Sequence, residues 1–96
     1  MAIVTVRYWA AAKEAAGVAE EKLSAQTLAD ALAAGLSAVR RRVGARLAQE
    51  RAERLRLVLS RSSFLIDGDP AGTRPPESVT LPDGCVIEVL PPFAGG

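Results

Sequence analysis

The chain runs Leu90-Pro91-Pro92-Phe93-Ala94-Gly95-Gly96 at its C-terminal end. Two glycines leave no side chain there, so the reactive group this run offers is the α-carboxylate of Gly96. The two prolines fix φ and remove backbone donors, which stiffens the segment. Terminal residues usually fray, but here a strand-like stretch, Cys85 to Leu90, runs directly into the stiffened part. The pattern reads as a rigid base, an extended stem and a thin tip. A tip without Cβ atoms can thread into a narrow partner site that would reject any larger residue.

Few other residues have the types that chemistry needs. There is no histidine and one cysteine, so no intrachain disulfide can form and nucleophile–histidine pairs and metal clusters are not expected. Cys85 is read as a small buried hydrophobe, because a reactive thiolate needs a positive field that its sequence neighbours do not supply. Asp67-Gly68-Asp69 lacks the remaining ligand spacing of a calcium loop and is read as a turn. Arg40-Arg41-Arg42 is read as a solvated run favouring the C-terminal half of a helix, with a docking patch for an acidic partner or a phosphate as the lesser reading. Phe93 lies outside any expected core and suits a partner pocket. Trp9 alternates away from the core face of its strand. It is expected to pack under the turn that follows, the alternative being an exposed interface anchor.

These residues need a scaffold. With 96 residues, 49% of them hydrophobic, the chain is one globular domain. Twelve basic and eleven acidic residues give a net charge of +1, which argues against nucleic acid or a membrane surface as main partner. Nothing approaches a membrane span, and the N-terminus lacks signal-peptide features, so a cytoplasmic location is expected.

Residues 3–9 alternate as a half-buried strand. Ala10 to Ala16 suits a short helical turn stopped by Gly17. Val18 to Leu23 reads as a polar second strand at a sheet edge. Thr27 and Asp30 fit a variant capping box opening the main helix. Leu28, Leu32, Leu36, Val39, Val43 and Leu47 share one face of it, with Gly35 and Gly44 as weak points. Ala45 to Leu55 resumes as a second helical segment. Leu57–Leu59 and Ser63–Ile66 have strand character, Asp67-Gly68-Asp69-Pro70 is a turn, and Ala71 to Ser78 is a loop. A short extended piece, Val79 to Leu81, and a turn at Pro82-Asp83-Gly84 lead to the last strand, Cys85–Leu90. This order describes an α+β layer, a mixed sheet with one main helix on one face. If the last strand lies parallel beside the first, the crossover should be right-handed.

The chain resembles the MoaD/ThiS family of sulfur-carrier proteins, and within it the small subunits of molybdopterin synthase. The residues that carry the resemblance are Leu90 to Gly96, the stretch Val6 to Gly17 with Ala10 and Lys13-Glu14, and Asp83-Gly84 before the last strand. Residues 40–62 are longer and richer in arginine than in a typical member. The resemblance implies a β-grasp, ubiquitin-like domain over 1–90 and an extended tail over 91–96. It implies that Gly96 is adenylated by an E1-like enzyme, converted to a thiocarboxylate with sulfur from a donor protein, and then inserted into the large subunit of molybdopterin synthase. Gly95 and Ala94 would fit the narrow channel there, and Phe93, Pro92 and Pro91 would set its depth and direction. No cofactor would be bound; ATP would be used by the activating enzyme. The catalytic groups would belong to the partners, and the sheet face near the last strand would be the docking surface. Alternatives are a carrier for thiamine, cysteine or tRNA thiolation, a ubiquitin-like modifier of lysines, and an interaction domain whose tail is incidental.

Overall fold

The computed structural model describes residues 2–92. In chain order the elements are β1 (Ala2–Tyr8), α1 (Ala10–Ala16), β2 (Glu20–Ala25), α2 (Leu28–Arg42), α3 (Ala45–Arg61), β3 (Ser63–Ile66), β4 (Asp69–Pro70), a 3₁₀ turn at Pro76–Ser78, and β5 (Val86–Leu90). The strands make one five-stranded sheet in the order β2-β1-β5-β3-β4. The first and last strands are central, parallel neighbours, with Thr5 opposite Val86 and Tyr8 opposite Val89. The other pairings are antiparallel. This is the β-grasp arrangement.

Period-two alternation sorts the sheet into two faces. Val4, Val6, Tyr8, Leu23, Ala25, Ile87 and Val89 are buried against the helices. The helices answer with small residues: Ala12, Ala15 and Ala16 from α1, and Ala31, Gly35 and Ala38 beside Leu28 and Val39 from α2. Small residues let the helix backbones approach the sheet closely. α3 adds Ala52, Leu55 and Leu59. Leu55 has no exposed surface, and truncating such a leucine to alanine costs about 2–5 kcal/mol.

The ends of α2 have local causes. Thr27 Oγ1 accepts the Asp30 N–H (3.2 Å), and an Asp30 carboxylate oxygen accepts the Thr27 N–H (3.3 Å), a complete capping box. The helix stops at Arg42, and Gly44 then opens α3. α1 closes on Gly17, whose φ of +80° is the left-handed cap that favours glycine.

Several sequence expectations need correction. Leu57–Leu59 is the last turn of α3, not a strand. Leu57 is exposed while Leu59 is buried, the division of a helix face rather than of a pleat. α3 extends to Arg61, and at 17 residues it is longer than the 15-residue α2. The sheet therefore carries two long helices as well as α1. Leu47 is not on the buried face of the main helix; it lies on α3 and is 44% exposed. The second strand begins two residues later than expected, at Glu20. Among the described residues, no helix is long and apolar enough to cross a membrane.

Candidate functional site

The end of β5 is the part of the fold closest in sequence to the chemically interesting tail. β5 is held on both sides, by β1 and by β3. Its start is fixed by two turns. Asp83 Oδ1 accepts the Ile3 N–H (2.8 Å), and the Gly84 N–H donates to the Ile3 carbonyl (2.8 Å). Asp67 Oδ1 accepts the Val86 N–H (2.9 Å), while the Asp67 N–H donates to the Val86 carbonyl (2.8 Å). Both Asp-Gly turns therefore tether the strand, with Gly68 and Gly84 at positive φ. This bears out Asp67-Gly68 and Asp83-Gly84 as turns, whereas Asp69-Pro70, expected to complete the first turn, forms β4, and it gives Asp67 and Asp83 defined acceptor roles.

Beyond Leu90 the chain leaves the sheet at Pro91, which is half-buried, and Pro92, which is exposed. The two prolines line a shallow depression of about 220 Å³ with Ala11 of α1 and Leu57, Val58 and Arg61 of α3. Phe93, Ala94, Gly95 and Gly96 lie outside the described residues.

The open face of the sheet flanks this exit. Ile3 and Trp9 are 51% and 48% exposed, and Thr5, Leu65, Val86 and Leu90 are half-buried. Charged residues rim the patch: Arg7 pairs with Glu20 (Nε to Oε1, 3.3 Å). Trp9 does not pack under α1, as the sequence suggested. Its backbone N–H still follows the β1–β5 ladder to the Val89 carbonyl (3.3 Å), which carries the side chain onto the open face. There the indole N–H donates to Glu88 Oε1 (3.2 Å). An exposed tryptophan held in one orientation beside the last strand has the character of an interface anchor.

Cys85 is 2% exposed. Burial pushes its thiol up, with the Asp67 carboxylate acting in the same direction. A buried thiol held in the protonated form is a poor nucleophile, consistent with its reading as a structural residue. Among the described residues, no group of three or more His, Cys, Asp or Glu side chains is placed to hold a metal ion.

The arginine run divides. Arg40 and Arg41 are exposed, as expected of a solvated run, but Arg42 is engaged. Its guanidinium donates through Nε to the Ala16 carbonyl (3.1 Å), with Nη2 on the same oxygen, and through Nη1 to Glu21 Oε1 (2.7 Å). The other Glu21 oxygen accepts the Tyr8 hydroxyl (2.6 Å). A chain of charge-assisted bonds thus runs from the core tyrosine of β1 through β2 to the end of α2, and caps α1 as well. Burial first, then the bond to Glu21, raises the Tyr8 phenol far above its ordinary range. Sequence reading missed this network because its members lie far apart in the chain. The one available signal was a tyrosine at an inward-facing strand position, since a buried hydroxyl needs a partner.

At the sequence level, no family profile matches the chain and no curated protein matches it. Solved structures do match. Small archaeal modifier protein 1 of Methanosarcina acetivorans is 25% identical with a TM-score of 0.69, the match covering 100% of this chain and 98% of that one. Small archaeal modifier protein 1 of Haloferax volcanii is 20% identical with a TM-score of 0.69, covering 98% and 99%. A Pyrococcus furiosus chain provisionally named molybdopterin converting factor subunit 1 is 19% identical with a TM-score of 0.64, covering 97% and 100%. The chain shares the β-grasp fold of these structures, which include a MoaD-like factor. Two of these neighbours are named as modifier proteins and one as a molybdopterin converting factor subunit.

Proposed function

We propose that this protein is a sulfur carrier that works as the small subunit of molybdopterin synthase. One observation carries the reading: the central strand of a β-grasp sheet, pinned on both sides, leads straight into Leu90-Pro91-Pro92 and so toward Phe93-Ala94-Gly95-Gly96. In this reading residues 1–90 are the folded carrier and residues 91–96 the working tail. The fold supplies position, and the partners supply catalysis.

A carboxylate is a poor electrophile, so the Gly96 carboxylate must first be activated. Its oxygen attacks the α-phosphorus of ATP on an E1-like enzyme, and pyrophosphate leaves. The terminal sulfur of a donor persulfide attacks the resulting acyl-adenylate, and AMP leaves. A thiol then reduces the acyl disulfide, and the thiocarboxylate remains on Gly96. In the large subunit that sulfur passes to a pterin precursor, and water restores the carboxylate. Gly95 and Ala94 fit the channel, while Phe93, Pro92 and Pro91 set its depth.

A second reading has its own support, because two of the structural neighbours are named as modifier proteins. The same acyl-adenylate would then be captured by a lysine amine, giving an isopeptide. Intact mass after incubation with ATP, an E1-like enzyme and a sulfur donor separates the readings. Exchange of one oxygen for sulfur at Gly96 is the carrier result, whereas conjugates of higher mass are the modifier result. Deletion of Gly96 should abolish sulfur transfer and leave the unfolding midpoint essentially unchanged. A truncated chain that still transfers sulfur would sink both readings.

A further inference from the structure

The net charge of +1 conceals a separation. Residues 40–61 hold eight arginines against Glu50 and Glu53, a net of +6, while the rest of the chain holds four basic and nine acidic residues, a net of −5. Along α3, Arg46, Glu50, Arg54, Leu57 and Arg61 follow at spacings of four, four, three and four, which places them on one stripe. That stripe is the solvent side, opposite Ala52, Leu55 and Leu59. Leu57 is 48% exposed between Arg54 and Arg61. Among the described residues, neither of these arginines has a carboxylate within ion-pair distance. Leu57 and Arg61 also line the depression at Pro91 and Pro92, so the stripe ends where the tail begins.

We propose that Arg54, Leu57 and Arg61 form a docking surface for an acidic protein face, an apolar cleft flanked by carboxylates, on the enzyme that activates the tail. This rests on the carrier reading above and adds a site on the helical side of the fold, away from the open sheet face. An enzyme that takes up residues after Pro92 must come close to Leu57 and Arg61. Arginine forks pair with carboxylates in two-pronged geometry, and an exposed leucine between them gains only from an apolar counterpart.

Two other occupants fit less well. A nucleic-acid backbone offers nothing to Leu57 and would meet Glu50 within the stripe. A second copy of this chain has few carboxylates to give. Glu20 and Glu21 pair with Arg7 and Arg42, Glu88 holds Trp9, and Asp30, Asp67 and Asp83 bind backbone amides.

The test is ATP–pyrophosphate exchange by the E1-like enzyme as a function of carrier concentration. Arg54→Glu with Arg61→Glu, and separately Leu57→Ser, should raise KM by about tenfold, with kcat recovered at saturating carrier. Raising ionic strength from about 0.05 to about 0.3 M should raise the KM of the unaltered chain far more than that of the double variant. Thermal melts establish that the variants fold, and Arg54→Gln with Arg61→Gln repeats the measurement without introducing repulsion. Normal activation of all variants overturns the docking surface and leaves the carrier reading standing. Failure of the unaltered chain to be activated overturns both. A salt-sensitive dimer that the double variant dissolves, seen by sedimentation, reassigns the stripe to a second copy. Binding of a labelled DNA duplex that the double variant loses reassigns it to nucleic acid. Either reassignment overturns the proposal.

Discussion

A methyl group added at position 35 would sit 2.7 Å from the Tyr8 hydroxyl oxygen. That oxygen cannot step aside without cost, because it donates to Glu21 from inside the core. Helix propensity alone favours Gly35→Ala by about 1 kcal/mol, but overpacking of this kind costs roughly 1–3 kcal/mol. Gly35→Ala should therefore lower stability in urea unfolding. Adding Tyr8→Phe removes the oxygen that the methyl would meet, so the double variant should recover much of the loss. Simple additivity of the two single effects would show that the clash is not the cause. Sequence reading found Gly35 only as a weak point in a helix. Its reason lies on another element, and a residue's spatial neighbour is not written in its own segment. Trp9 and Arg42 are illegible on the same ground: each is placed by a distant carboxylate, Glu88 or Glu21, and not by its flanking residues.

At the scale of elements, local chemistry was far more legible. The capping box at Thr27 and Asp30 is complete in the structure, because a cap is made by residues three apart. Thr27→Ala should cost about 1 kcal/mol, and Thr27→Ser should keep most of it, since the hydroxyl does the capping. Equal losses in the two variants, measured by chemical denaturation, would refute the assignment. Gly44 does separate two helices, and Asp67-Gly68 and Pro82-Asp83-Gly84 do turn the chain. The parallel placement of the first and last strands was legible only as a condition on the fold, and the structure meets it. What failed was the end of α3. Leu57, Val58 and Leu59 are three apolar residues in a row, which suits a strand as well as a helix. The helix prevails because Ala52, Leu55 and Leu59 supply a continuous buried face. As for the candidate site, the last strand was legible as the base of the tail, and the structure places that strand between β1 and β3. The sequence did not foresee that α1 and α3 would flank the exit, because that proximity is created by the fold.

For the molecule as a whole, two buried acids set the response to alkali. Cys85 and Tyr8 both have their protonated forms favoured in the folded state. Their folded-state pKa values are raised above the unfolded ones, so the stability they contribute is complete below the unfolded values, about 8.5 for cysteine and about 10 for tyrosine. It is lost progressively from those values up to the raised folded-state ones, because over that range the unfolded chain releases protons that the folded chain retains. The urea midpoint should fall between about pH 8 and about pH 11, first with the cysteine and then with the tyrosine. Cys85→Ala should remove the earlier part of the fall and Tyr8→Phe the later part. An unchanged pH profile in both variants would place the alkaline loss elsewhere.

The side-by-side, same-direction placement of β1 and β5 has a mechanical consequence. A load applied between residue 2 and residue 92 pulls the two strands past each other along their length. The bonds of the shared ladder, from Thr5 opposite Val86 to Tyr8 opposite Val89, then bear the force together in shear rather than peeling open one at a time. Force between the two ends of the described chain is therefore met along the stiffest direction of the sheet, where the β1–β5 bonds must break together.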